Sequence, residues 1–213
     1  MLRSADGLTF EQLTISGIEG ETFSSYRPLV KFKGRLYTAP VGKNRAQNSA
    51  GFTVVLETDD PAKEKWVQVN EVDFGDPSTL SVFEMAVFNG YLYAGTINTN
   101  GFQLWKTDCT PPYPYRWKRV LTHGAGRGSK NEGIASMCEF NGALYIGSLI
   151  QNGGFDRENI IGPSPSELIR VHPDDSWDIV VGDPRMVSSG LKIPLSGFSA
   201  GFGNFFNGYF WRM

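Results

Sequence analysis

The 213-residue sequence is poor in the residues that most often carry chemistry. It holds two cysteines, Cys109 and Cys138, and two histidines, His123 and His172. Two cysteines do not make a disulfide framework, and Cys138 falls in an apolar strand pattern that suits a small buried hydrophobe. The histidines sit at different points of the chain's repeat, which argues against a shared metal or a Ser-His pair. No His/Cys cluster has zinc spacing and no acidic loop has the EF-hand pattern, so neither a metal nor a cofactor is expected. Charge of one sign is also missing. Twenty Lys+Arg balance 22 Asp+Glu, leaving a net charge of −2 with no basic footprint for nucleic acid. No run is long and apolar enough to span a bilayer, and residues 1–7 lack the apolar core of a signal peptide. The expectation is a cytosolic protein or a secreted one whose signal has been removed, with neither nucleic acid nor membrane as partner.

What the sequence has in quantity is glycine (25), phenylalanine (15), tyrosine (8) and tryptophan (5). Glycine serves turns that need positive φ, and aromatics fill sheets packed on both faces. Three segments share one pattern: Leu29–Tyr37, Met85–Tyr93 and Met137–Tyr145. Each reads as a strand ending in Phe-Asn-Gly or Phe-Lys-Gly, followed by a second strand that carries Leu-Tyr. Their glycines, Gly34, Gly90 and Gly142, are spaced 56 and 52 residues apart. Asn-Gly suits a type I′ hairpin turn. A third strand follows in each case (Val54–Thr58, Phe102–Thr107, Leu168–Val171), then an acidic turn (Asp59-Asp60, Asp108, Asp174-Asp175). A fourth strand opens with Trp66, Trp117 or Trp177. Four short strands in about 50 residues is the size of a propeller blade.

The fold class expected is therefore all-β, a β-propeller of four-stranded antiparallel blades over 24–72, 79–122 and 133–182, with one further blade split or partial. Residues 1–18 read as the second half of a blade, because Leu2–Asp6 lines up with Leu104–Asp108. Residues 196–213 read as the first part of one, in either of two registers. In the first, Phe206-Asn207-Gly208 is a hairpin turn matching Phe88-Asn89-Gly90, and the two chain ends share a blade that closes a ring of four. In the second, Trp211-Arg212-Met213 matches Phe83-Glu84-Met85, and the chain stops inside an inner strand.

The Asn-Gly-x-Leu-Tyr hairpins, the strand Gly101–Asp108 and the acidic turns before tryptophan resemble kelch-like and Asp-box β-propellers. Ser4–Phe10 is similar to an Asp box one residue short. The double glycine of kelch repeats is absent. This resemblance implies fold and says little about activity, since propellers host enzymes, lectins and scaffolds alike.

In propellers the loops entering the innermost strands ring a central channel. Here they are Glu21–Arg27, Asp76–Ser81, Gly124–Ser136 and Pro194–Asn207. The candidate ligand-binding residues are Tyr26, Arg27, Arg127, Lys130, Asn131, Glu132, Asn207, Tyr209 and Arg212. The glycine-rich loop 124–133 could clamp an anion or a sugar, or could be a solvated turn. It is no P-loop, since no Gly-Lys-Ser/Thr follows. Asp59-Asp60 and Asp174-Asp175 read as turn formers. Tyr113 and Tyr115, on a proline-stiffened loop, are a candidate partner contact. The 151–167 insertion offers Phe155, Asp156 and Arg157. With no nucleophile-base pair and no cofactor fingerprint, the leading expectation is a non-catalytic module that presents channel-face loops to a carbohydrate, a small ligand or a protein. One alternative is a glycoside hydrolase or lyase using Arg27, Arg127, Arg185, Arg212, Glu132 and Tyr26 or Tyr209. Another is a half-ring that self-associates, as a homodimer completing the ring.

Overall fold

The structure is a computed structural model that describes residues 2–13, 23, 25–41, 51–63 and 65–213. Part of the expected 21–27 loop, residues 14–18 of the N-terminal half-blade and Ser24 lie outside the described residues. The chain begins with a two-stranded ribbon, β1 (Leu2–Arg3) and β2 (Glu11–Gln12), paired antiparallel with Arg3 opposite Glu11. Asp6 organises the turn between them. Its carboxylate accepts the N–H groups of Thr9 and Leu8, both at 2.8 Å, and these bonds hold its pKa down to about 2.

Three four-stranded antiparallel meanders follow. The first blade is β3 (Ser25–Phe32), β4 (Arg35–Val41), β5 (Leu56–Thr58) and β6 (Val67–Gln68). The second is β7 (Thr79–Phe88), β8 (Tyr91–Asn98), β9 (Leu104–Thr107) and β10 (Lys118–Leu121). The third is β11 (Gly133–Phe140), β12 (Ala143–Leu149), β13 (Leu168–Val171) and β14 (Trp177–Val181). Each inner hairpin turns through two residues of positive φ: Lys33-Gly34 (46°, 77°), Asn89-Gly90 (46°, 76°) and Asn141-Gly142 (51°, 74°). That is the backbone a type I′ turn requires, and it explains why asparagine and glycine recur there. A further hairpin, β15 (Arg185–Val187) with β16 (Gly190–Lys192), had no counterpart in the repeat pattern.

The apolar core lies between blades. Phe32, Tyr37 and Ala39 of the first blade pack in one cluster with Val82, Met85, Leu92 and Ala94 of the second. Phe88, Tyr93 and Leu104 of the second pack with Ile134, Leu144, Ile146 and Ile169 of the third. Each of these interfaces buries a face of one blade against the next, which is why the repeat must stack to be stable. Close approach is written into one repeat position. Gly95 of β8 faces Ile134 of the next blade, whose side-chain carbons lie 2.9 Å from where a Cβ would stand. Gly147, at the same place in β12, faces Phe210, and a Cβ there would overlap that residue.

The C-terminal segment settles into the second of the two registers. Between the second and third blades, Ile97 pairs with Gly133, Phe102 N–H donates to Asn131 O, and Asn131 Nδ2 donates to Gly124 O. At the far side of the third blade the same three contacts recur. Leu149 pairs with Tyr209, Ser166 N–H donates to Asn207 O, and Asn207 Nδ2 donates to Gly201 O. Tyr209 therefore occupies the place of Gly133, at the start of an inner strand. The hairpin expected at Phe206-Asn207-Gly208 does not form, and the closed-ring expectation built on it is corrected. Asn207 is already engaged through both its carbonyl and its side chain, while Phe206 stands 90% exposed beside it.

Candidate functional site

The inner strands share an irregularity at one position. The register with the second strand breaks between Tyr26 and Leu29 in β3, between Val82 and Glu84 in β7, and between Ile134 and Ser136 in β11. The residues left out of the ladder include Arg27, Phe83 and Ala135, each seven positions before its hairpin glycine. A bulge bends the strand and re-aims the side chain it carries. Counting on from Tyr209, Trp211 holds the same position in the C-terminal segment. Arg27, Phe83 and Trp211, joined by Ile97, Leu149, Gln151, Asn152 and Tyr209, line an open cavity of about 300 Å³.

The cavity is walled by aromatic rings around one cation. The Arg27 guanidinium lies 3.6 Å from the Phe83 ring centroid and 4.6 Å from that of Trp211, and the two rings meet edge-to-face at 6.2 Å. Trp211 packs edge-to-face on Tyr209 at 5.7 Å. The Tyr209 hydroxyl accepts the Gly153 N–H, so the 151–154 turn and the C-terminal segment hold each other. Burial pushes the Arg27 pKa down, with Glu84 opposing and Arg212 adding to the effect. Glu84 accepts the Met85 N–H at 3.1 Å and faces Arg212 at 4.0 Å, and burial pushes its pKa up.

A buried carboxyl pair supports the cavity wall from behind. Glu132 is fully buried and accepts both the backbone N–H and the side-chain amide of Gln151 at 2.9 Å. Asp156, also buried, receives Glu158 N–H at 2.9 Å and Asn159 Nδ2 at 2.7 Å. Burial, then the hydrogen bond with Asp156, pushes the Glu132 pKa up to about 7. Burial also works against the charge of Asp156, yet the bonds from Glu132, Asn159 and Glu158 outweigh it and hold Asp156 below its ordinary value. Of the two carboxyls, Glu132 is the one whose surroundings favour the proton.

Of the residues expected at the site, Arg27 and Tyr209 line this cavity, Glu132 backs it, and Arg212 stands outside it, three-quarters exposed. Tyr26 packs edge-to-face on Phe23 and its hydroxyl is buried. Arg127 and Asn131 belong to a separate network. Arg127 donates to Pro165 O at 2.7 Å and to Asp183 at 2.7 Å. Asn131 donates to Glu167, which also accepts from Arg185 at 2.8 Å. The glycine-rich loop is thus a left-handed turn (His123–Gly126, positive φ throughout) followed by a single 3-10 turn (Gly128–Asn131), both clamped onto the third blade, with Lys130 exposed. Asn207 is fixed by its bond to Gly201. Phe155 and Arg157 are exposed.

Tyr113 and Tyr115 lie elsewhere, on the loop between β9 and β10. Both hydroxyls donate to Glu57 of β5, which also accepts from Arg35. Burial works against the Glu57 charge, but these bonds prevail and hold its pKa below the ordinary value. Phe83, Gln151, Asn152 and Trp211 were not anticipated. A signal for Phe83 was present, since it stands at the same distance from its glycine as Arg27. No group of metal-ligating side chains occurs among the described residues.

No family model and no curated protein sequence matches this chain. Among solved structures, the GH43_1 enzyme from Xanthomonas citri complexed with xylose shows 16% identity and a TM-score of 0.39 over 81% of this chain and 58% of its own. The same enzyme with xylotriose gives 16% and 0.39, over 84% and 62%. The computationally designed Ika4 protein gives 9% and 0.37, over 79% and 98%. The chain thus spans about three-fifths of the Xanthomonas enzyme's length. The propeller assignment rests on the strand order, the repeated inter-blade contacts and the interleaved cores described above.

Proposed function

We propose that this protein is a non-catalytic binding module and that the cavity among Arg27, Phe83, Tyr209 and Trp211 takes a carbohydrate. The observation that carries this reading is the cavity's make-up. It has about the volume of a small ligand site. Aromatic rings form its wall, and Asn152 stands beside them. A sugar ring offers an apolar C–H face to such a wall and hydroxyls to such an amide. The two carboxyls behind the wall are buried and engaged with Gln151, Glu158 and Asn159, which favours holding a ligand over cleaving one.

A glycan array followed by titration calorimetry on the whole chain tests the reading. Binding that Trp211→Ala weakens about tenfold is expected. Binding indifferent to Trp211→Ala would move the site elsewhere, and a sugar consumed during the titration would make the protein an enzyme.

A further inference from the structure

Resting on that reading, we infer that the cavity selects a ligand with a carboxylate on a sugar-sized hydroxylated ring, a uronic acid, and that Arg27 takes the carboxylate. Among the described residues, Arg27 is the only charged one lining the cavity. It stands at a repeat position whose counterparts are Phe83, Ala135 and Trp211, so packing at that place makes no call for charge. Its Nε is buried without a hydrogen-bond partner. No hydrogen bond or ion pair joins its guanidinium to any described residue, whereas the buried Arg127 donates to Pro165 and Asp183. The half-buried guanidinium has lost part of its hydration without gaining a protein acceptor, and a ligand that accepts from its Nη groups recovers that cost.

The geometry favours a planar anion. Phe83 and Trp211 lie against the guanidinium, which leaves its N–H edge as the route to a partner. A carboxylate accepts two parallel N–H bonds from such an edge. The charged groups nearby do not fill that role. Glu84 engages Met85 N–H and faces Arg212, with burial opposing its charge. Glu132 lies behind Gln151 and keeps its proton near neutral pH. Tyr209 and Trp211 remain for the ring face, and Asn152 for hydroxyls.

The test compares D-glucuronate with D-glucose, which differ only at the carbon bearing the acid. Both are titrated into the full chain, followed by tryptophan fluorescence and calorimetry. Glucuronate is expected to bind about tenfold tighter or more, with the preference shrinking as salt rises. Arg27→Gln should abolish the preference, and Arg27→Lys should restore only part of it, since an ammonium lacks the fork. Equal binding of the two sugars, or a preference that survives Arg27→Gln, overturns the carboxylate assignment while leaving the sugar site standing. No binding of either sugar sinks the site reading and this inference with it. The wild-type comparison stands even where a variant folds poorly.

Discussion

Glu132→Gln is the substitution that most directly probes the buried carboxyl pair behind the cavity. In the folded protein the Glu132 pKa is pushed from 4.5 up to about 7, by burial first and by the Asp156 hydrogen bond second. A difference of that size corresponds to about 3 kcal/mol. Folding holds this proton more tightly than the unfolded chain does. The pair's contribution is therefore complete below about pH 4.5 and is lost as the pH climbs through 7. Glutamine keeps the shape and cannot ionise. Its oxygen can accept one of the two Gln151 N–H groups, and its amide can donate to Asp156. The second Gln151 donor loses its acceptor, at a pH-independent cost of about 1 kcal/mol. The variant should be about as stable as wild type at pH 5 and more stable by about 2 kcal/mol at pH 8. Denaturant unfolding at pH 5, 6, 7 and 8 reads the difference. Parallel stability profiles for the two proteins would refute the proton-sharing arrangement.

Other positions give equally concrete expectations. Gly147→Ala should push Phe210, and with it Trp211, away from the third blade, costing about 1–3 kcal/mol and altering Trp211 emission. Asp175→Asn leaves the buried Lys106 ammonium, now bonded to Asp175 at 2.5 Å, with a neutral partner; thermal unfolding should show a loss of about 3 kcal/mol. Glu57→Gln should loosen the 110–115 loop by about 2 kcal/mol, read as faster proteolysis there. Because the Glu57 pKa is lowered on folding, its contribution is present above the ordinary carboxylate range and fades as pH falls, so the wild-type loop should also become protease-sensitive in acid.

The blades were legible because their signals are local and repeated. Asn-Gly turns, paired Leu-Tyr strands and a tryptophan opening the last strand recur at nearly constant spacing, and each depends on backbone geometry that a few adjacent residues dictate. The C-terminal segment was ambiguous because Phe206-Asn207-Gly208 satisfies the same local rule. What decides the matter is distant: Asn207 bonds to Gly201, Ser166 takes its carbonyl, and Leu149 pairs with Tyr209. The β15–β16 hairpin escaped notice because it follows no repeat. Arg127 and Asn131 looked like ligand groups because loop polarity cannot reveal a partner. Their partners, Asp183 and Glu167, lie 56 and 36 residues further along the chain.

The cavity follows from the repeat itself. A bulge seven residues before each hairpin glycine turns one side chain per blade out of the ladder, and the blades' stacking brings those side chains together around the axis. Strand hydrogen bonds around the bulge fix the position, while the residue placed on it is free to vary, as Arg27, Phe83, Ala135 and Trp211 do. Packing explains an aromatic or an alanine at that place. It does not explain an arginine whose Nε is buried and unpaired, since a leucine or methionine there would pack against Phe83 without a desolvation cost. Replacing this arginine should therefore affect stability in the direction opposite to the usual one. Arg27→Met should raise the thermal unfolding temperature of the unliganded protein while abolishing carboxylate recognition. A variant that unfolds at lower temperature than wild type would show that the guanidinium contributes to the fold, and would remove the ground for assigning it to a ligand.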